Sequence, residues 1–193
     1  IGARSSEDQE HRIWASMIDH PVGIKNTTAG DVDKGINSII AAQHSHVFAI
    51  HREQVKTDGN PHAHLILRGG NGESNYNLQT VEKAISKMQE KKIQNPSILI
   101  DASHENCIDP STGKKDPNLQ PEVIDHVIDY MNEDEKIKSH IKGFMVESFL
   151  VEGAQNATNY NSASELKPGC SITDPCLGWE KTEKMILDLA ERL

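Results

Sequence analysis

The sequence predicts an α/β protein in which a parallel sheet is covered by helices. Two observations predict it. Short, continuously apolar strands alternate with amphipathic helices along the chain. Two long polar loops, at 102–121 and 152–170, follow strands on the same end, where α/β enzymes keep their chemistry. The elements come in order. Ser5 and Ser6 read as an N-cap before the acidic turn Glu7, Asp8 and Gln9. Ile13, Trp14, Met17 and Ile18 continue at helical spacing until Pro21 stops the helix. Residues 22–24 form a short apolar run, and 31–42 a second helix with Val32, Ile36, Ile39 and Ile40 on one face. Strands follow at 47–50 and 65–67, around the turn-rich Asp58-Gly59-Asn60-Pro61. Leu78, Val81, Ile85 and Met88 mark a third helix and 98–100 a buried strand. Val123, Ile124, Val127, Ile128 and Met131 mark a fourth helix, 143–146 a strand, and 179–193 a last amphipathic helix. A doubly wound sheet and a (β/α)₈ barrel both fit this order.

The chain has 193 residues, enough for one domain spanning 1–193. A formal charge of −9 argues against nucleic acid as a partner, although a few convergent cations can still make a local anion site. No apolar run approaches the roughly 18 residues of a membrane span, so no membrane partner is expected. Cys107, Cys170 and Cys176 are odd in number and form no CxxC pair, which points away from a disulfide framework and towards the cytoplasm.

The chemistry lies just after the strands. Lys25 follows 22–24, and Arg68 with Gly69 and Gly70 follows 65–67. Asp101 and His104 follow 98–100, and Glu147 follows 143–146; Arg4 follows Gly2-Ala3 at what reads as another strand end. Taken singly, each has a plain reading. Arg4, Arg68 and Lys25 read as rim or solvated cations, His104 as a hydrogen-bonded structural histidine, and Glu147 as the partner of a neighbouring lysine. Asp101 reads as a cap or an orienter of the loop that carries His104. A common offset from successive strands weakens those readings, because independent surface charges have no reason to share it. Arg4, Lys25 and Arg68 then suit a phosphorylated or carboxylated ligand. His104, Glu147 and an aspartate suit a divalent ion such as Mn²⁺, Fe²⁺, Co²⁺ or Zn²⁺. Asp174 is the best third ligand, although the residues alone favour a turn or N-cap aspartate there. Lys114 and Lys115 lie in a polar loop without a strand-end position and read as solvated.

Six strings, in order, carry a resemblance to a known family. They are Gly2-Ala3-Arg4-Ser5-Ser6-Glu7, Pro21-Val22-Gly23-Ile24-Lys25-Asn26, Leu67-Arg68-Gly69-Gly70 and Ile100-Asp101-Ala102-Ser103-His104-Glu105-Asn106. The last two are Met145-Val146-Glu147-Ser148 with Glu152-Gly153-Ala154-Gln155, and 171–179, which includes Asp174, Pro175 and Cys176. Together they resemble the C-terminal half of class I 3-deoxy-D-arabino-heptulosonate-7-phosphate (DAHP) synthase.

The resemblance implies a (β/α)₈ TIM barrel, of which this chain supplies roughly the second half. It implies condensation of phosphoenolpyruvate with erythrose 4-phosphate, releasing phosphate, with a divalent metal, in the first step of the shikimate pathway. Arg4, Lys25 and Arg68 match the family's phosphoenolpyruvate-binding residues, and His104, Glu147 and Asp174 match three of its four metal ligands. Lys25 and His104 are the expected catalytic residues, His104 also as a proton acceptor near the metal. The full-length enzyme is expected to be a homo-oligomer. The family's fourth ligand, a cysteine near the first barrel strand, and its sugar-phosphate loop do not occur in this sequence. The hairpin region 48–64 looks shortened, Thr27 stands for a usual glycine, and Ala154 for a usual asparagine. Two alternatives remain: a non-catalytic half-barrel acting as a fragment or interaction module, and a related barrel acting on arabinose 5-phosphate.

Overall fold

The structure, a computed structural model, describes residues 4–193, with side chains from Ser6 onward. In chain order it begins with β1 (Arg4–Ser5), α1 (Gln9–Met17), β2 (Gly23–Lys25), α2 (Val32–Gln43), β3 (Val47–Ile50) and β4 (Glu53–Lys56). Then come β5 (His64–Leu67), α3 (Leu78–Glu90), β6 (Ile98–Asp101), β7 (Ile108–Asp109) and β8 (Lys114–Lys115). The last elements are α4 (Gln120–Glu133), α5 (Glu135–His140), β9 (Ile141–Met145), β10 (Val151–Ala154), β11 (Cys170–Ser171) and α6 (Trp179–Arg192). The main sheet runs β1-β2-β5-β6-β9 with every pairing parallel. Among the described residues, β1 and β9 are each paired on one side only.

The helices form where caps and apolar stripes coincide. Asp31 accepts the backbone N–H of Lys34 at 3.1 Å to start α2, and Asn77 accepts that of Thr80 at 2.9 Å to start α3. The stripes bury Ile36, Ile39, Ile85, Met88, Ile124 and Ile128 against Leu65, Leu67, Ile98 and Ile100, all at most 2% exposed. Burial of each such side chain contributes about 1.5–3 kcal/mol. No helix of the described residues is long and apolar enough to cross a membrane.

Several expectations need correction. The cap of α1 is Asp8, which accepts Glu10 N–H at 2.8 Å, and not Ser5 or Ser6. Ser5 is taken by the sheet, opposite Lys25, and Ser6 N–H donates to Lys25 O. Residues 47–50 do form a strand, but outside the parallel sheet. They pair antiparallel with β4 through His51 and Arg52, both left-handed at φ +49° and +69°, as a tight two-residue hairpin requires. The polar strand β4 and helix α5 lack the apolar signature that marks their neighbours, so periodicity misses them. The loops at 102–121 and 152–170 contain the small pairings β7–β8 and β10–β11.

Candidate active site at the strand ends

Parallel strands bring their carboxyl ends to one side, and that side carries the charged residues. Lys25 ends β2, Arg68 follows β5, Asp101 ends β6, and Glu147 lies two residues beyond β9. His104 opens a 3-10 helix at His104–Cys107. Asp174 sits between β11 and α6, and it caps nothing: the N-cap of α6 is Gly178. The N-cap reading of Asp174 is thereby set aside, while its place in the bend at 172–174 agrees with a loop aspartate.

Asp101 is the centre of the inner cluster. Its side chain is fully buried, and Oδ2 lies 2.9 Å from both Lys25 Nζ and His104 Nδ1. Oδ1 accepts the Ser103 amide at 3.0 Å and the Ser103 hydroxyl at 2.8 Å. Burial alone would push this carboxyl up; the hydrogen bond from His104 and the charges of Lys25 and His104 outweigh it and bring the pKa down to about 2. Asp101 does orient the loop of His104, as the sequence suggests, and it also anchors Lys25.

With Nδ1 held between Ser103 Oγ at 2.8 Å and Asp101 Oδ2 at 2.9 Å, Nε2 of His104 points the other way. Glu147 Oε1 lies 3.3 Å from it and Asp174 Oδ2 3.9 Å. The three residues offer ligand atoms all within 4.8 Å of one another. First-row ions bind such N and O donors at about 2.0–2.2 Å, so donors around one ion stand roughly 3–3.5 Å apart. Glu147 already has that spacing to the imidazole, and Asp174 needs only a small approach. Burial, the largest influence on Glu147, raises its pKa, and the charge of Asp174 adds to that. One imidazole nitrogen and two carboxylates facing the same space offer one N and two O donors to a cation placed between them. The donor set therefore fits a divalent ion.

The anion side is built on buried asparagines. Asn26 Oδ1 accepts the Arg68 amide at 2.9 Å and the Asn75 side chain at 3.0 Å, while Asn75 Oδ1 accepts the Gly69 amide at 2.7 Å. Asn106 Oδ1 accepts the Asn75 amide, and its Nδ2 donates to Leu67 O and Asp101 O. This network ties the ends of β2, β5 and β6 together. A Cβ on Gly70 would stand 2.1 Å from Gly30 N, so only glycine permits that approach between the two loops. Arg68 is 7% exposed, and its Nη1 has no hydrogen-bond partner. Its backbone adjoins the metal-type cluster, because the amide of Glu105, the residue after His104, donates to Arg68 O at 3.2 Å. The side chain of Arg4 lies outside the described residues; its backbone pairs with Ile24 at the edge strand. Thr27 is buried, and its hydroxyl accepts Asp31 N–H at 3.0 Å.

Three participants escaped sequence reading. Lys115, expected to be solvated, donates to Asp174 Oδ1 at 2.7 Å and is the largest cause of that carboxyl's lowered pKa. Gln120, fully buried, accepts Glu147 N–H at 2.8 Å and donates to Glu147 O at 3.0 Å, clamping the backbone of that residue. Glu105 reaches towards Arg68, with 3.8 Å between Oε1 and Nη2. The contacts of Lys115 and Gln120 span 59 and 27 residues, and no local pattern announces them. Glu105 did stand inside a recognised string, next to a candidate ligand, and that neighbourhood was the one available signal.

Known proteins resemble this chain throughout. The pattern of the DAHP synthetase I family matches residues 1–187. The phenylalanine-inhibited phospho-2-dehydro-3-deoxyheptonate aldolase of Saccharomyces cerevisiae is 36% identical, across 99% of this chain and 51% of its own length. The Trp-sensitive enzyme of Enterobacter agglomerans is 38% identical, across 99% and 52%. The solved phospho-2-dehydro-3-deoxyheptonate aldolase of Francisella tularensis superposes with a TM-score of 0.84 at 34% identity, covering 100% of this chain and 53% of that one. The chain thus spans about half the length of the relatives it matches, and its architecture is that of half a (β/α)₈ barrel. This chain belongs to the DAHP synthetase I family.

Proposed function

We propose that the chain provides the phosphoenolpyruvate- and metal-binding part of a DAHP synthase, which condenses phosphoenolpyruvate with erythrose 4-phosphate and releases phosphate. The observation that supports this best is the meeting of His104, Glu147 and Asp174 beside Lys25 and Arg68 at the strand ends. A bound Mn²⁺, Fe²⁺, Co²⁺ or Zn²⁺ ion would supply Lewis-acid polarisation of the sugar aldehyde. His104 Nε2, Glu147 and Asp174 would hold that ion, with Asp101 fixing the imidazole from behind. Arg68 would offer its planar fork, with the unpartnered Nη1, to phosphate oxygens, and Lys25 a point charge anchored on Asp101. Arg4, at the edge strand, is assigned to the same anion. Both ring nitrogens of His104 are engaged in this arrangement, so we assign it as a ligand and not as a proton acceptor. Three free cysteines fit a cytoplasmic setting.

Metal content after dialysis tests the ligands: the native chain should retain an ion that His104→Ala does not, and equal stoichiometry would refute the assignment. Titration calorimetry tests the anion side. Arg68→Ala should weaken phosphoenolpyruvate binding by about 2–5 kcal/mol, as loss of a desolvated charge does, while Lys114→Ala should leave it unchanged. A second reading is a half-barrel that binds without turnover, since the chain spans 51% of its yeast relative and 53% of the solved one. Phosphate release with both substrates, with and without the remaining barrel supplied, separates the two.

A further inference from the structure

Arg68 is a buried cation without a full complement of acceptors, and the acid nearest to it comes from the metal-type cluster's own loop. Glu105 directly follows His104, and its amide donates to the carbonyl of Arg68 at 3.2 Å. Its side chain folds over the glycine loop: Oε2 accepts the Gly72 amide at 2.8 Å, while Oε1 stands 3.8 Å from Arg68 Nη2. The backbone makes room for this fold, because Gly69 is left-handed at φ +71° and a Cβ there would meet Glu105 Cβ at 2.6 Å. The carboxylate therefore takes up the two kinds of donor that would grip a phosphate, a guanidinium and a loop amide. It does so incompletely: the contact to Nη2 is longer than a hydrogen bond, and Nη1 has no partner.

We propose that Glu105 is an internal anion that occupies the seat of Arg68 and must be displaced by the ligand's phosphate, so that it sets the affinity an anion needs in order to enter. A single carboxylate held at 3.8 Å neutralises Arg68 well enough to resist weak monoanions. A phosphate dianion brings twice the charge and more acceptor oxygens, and it can use Nη1 as well. As an internal competitor Glu105 lowers the affinity for every anion by a common factor, so that weakly bound monoanions fall out of the site while a phosphate dianion, with its larger intrinsic affinity, still enters. The proposal rests on the reading of Arg68 as a phosphate-binding residue.

Calorimetric titration with inorganic phosphate, phosphoenolpyruvate and acetate tests both ideas on the chain and on Glu105→Gln, Arg68→Ala and the double variant, with circular dichroism to verify folding. Glu105→Gln should bind phosphate up to about fivefold tighter, the scale of one partly screened charge pair, and should bind acetate tighter by a similar factor. The gain should vanish in the Arg68→Ala background. Unchanged or weaker phosphate binding in Glu105→Gln, with binding lost in Arg68→Ala, would overturn the internal-anion proposal and leave the reading of Arg68 intact. A folded Arg68→Ala that binds phosphate as the native chain does would overturn that reading itself. Absence of binding in both the native chain and Glu105→Gln would count against both.

Discussion

The two faces of the His104 ring differ sharply. Behind Nδ1 lies Asp101, with no side-chain exposure, fixed by Lys25, His104 and Ser103. In front of Nε2 lies Asp174, 40% exposed, 3.9 Å away and held at its other oxygen by Lys115. One carboxylate is built into the architecture; the other stands on a loop where it can adjust to what arrives. Burial separates a group that determines geometry from a group that can exchange partners, although both are aspartates beside the same imidazole.

The largest expected effect concerns stability. Asp101→Asn should cost about 3 kcal/mol in urea denaturation, because it leaves Lys25, largely shielded at 12% exposure, without the carboxylate that balances its charge. Asp174→Asn should stay within about 1 kcal/mol, since its pairs are screened by solvent. Equal losses would erase the contrast between the two faces. Next comes metal affinity: Asp101→Asn should weaken Co²⁺ binding by roughly 10–100-fold, as loss of an outer-shell partner does. Spectroscopic titration of the folded fraction would read this, and an unchanged affinity would reduce Asp101 to a purely structural role.

The contrast also has a pH signature. The folded pKa of Asp101, about 2, lies below its ordinary value of 3.8. Its stabilising contribution is therefore present above about pH 4 and is lost as pH falls from there through 2. The difference in melting temperature between the native chain and Asp101→Asn should shrink across that window, and a difference that grew would reverse the assignment. The smallest effect is at Lys115. Lys115→Met should raise the Asp174 pKa towards its ordinary range, seen by carboxyl NMR, and Lys114→Met should not.

How far the sequence reveals all this depends on the range of each interaction. Ile36, Ile39, Ile85 and Met88 announce their helices because the apolar stripe is local, and the strand-end offset of Lys25, Arg68, His104 and Glu147 follows from parallel topology. Asp8 displaced Ser5 and Ser6 as a cap because the edge strand claimed their backbone first, a tertiary choice that no local pattern contains. Residues 47–50 were legible as a strand, but an apolar run does not name its partner, and the partner was a polar strand across a two-residue turn. Lys115 misled for the same reason: its place was set by Asp174, far along the chain.

His104 holds a left-handed backbone, φ +54°, at the position where its ring must serve the site. A side chain there costs of order 1 kcal/mol relative to glycine. His104→Gly should accordingly melt higher than His104→Ala, although both lose the imidazole. Melting temperature and metal binding therefore pull apart at this residue: the backbone is best served by glycine, and the site only by the ring.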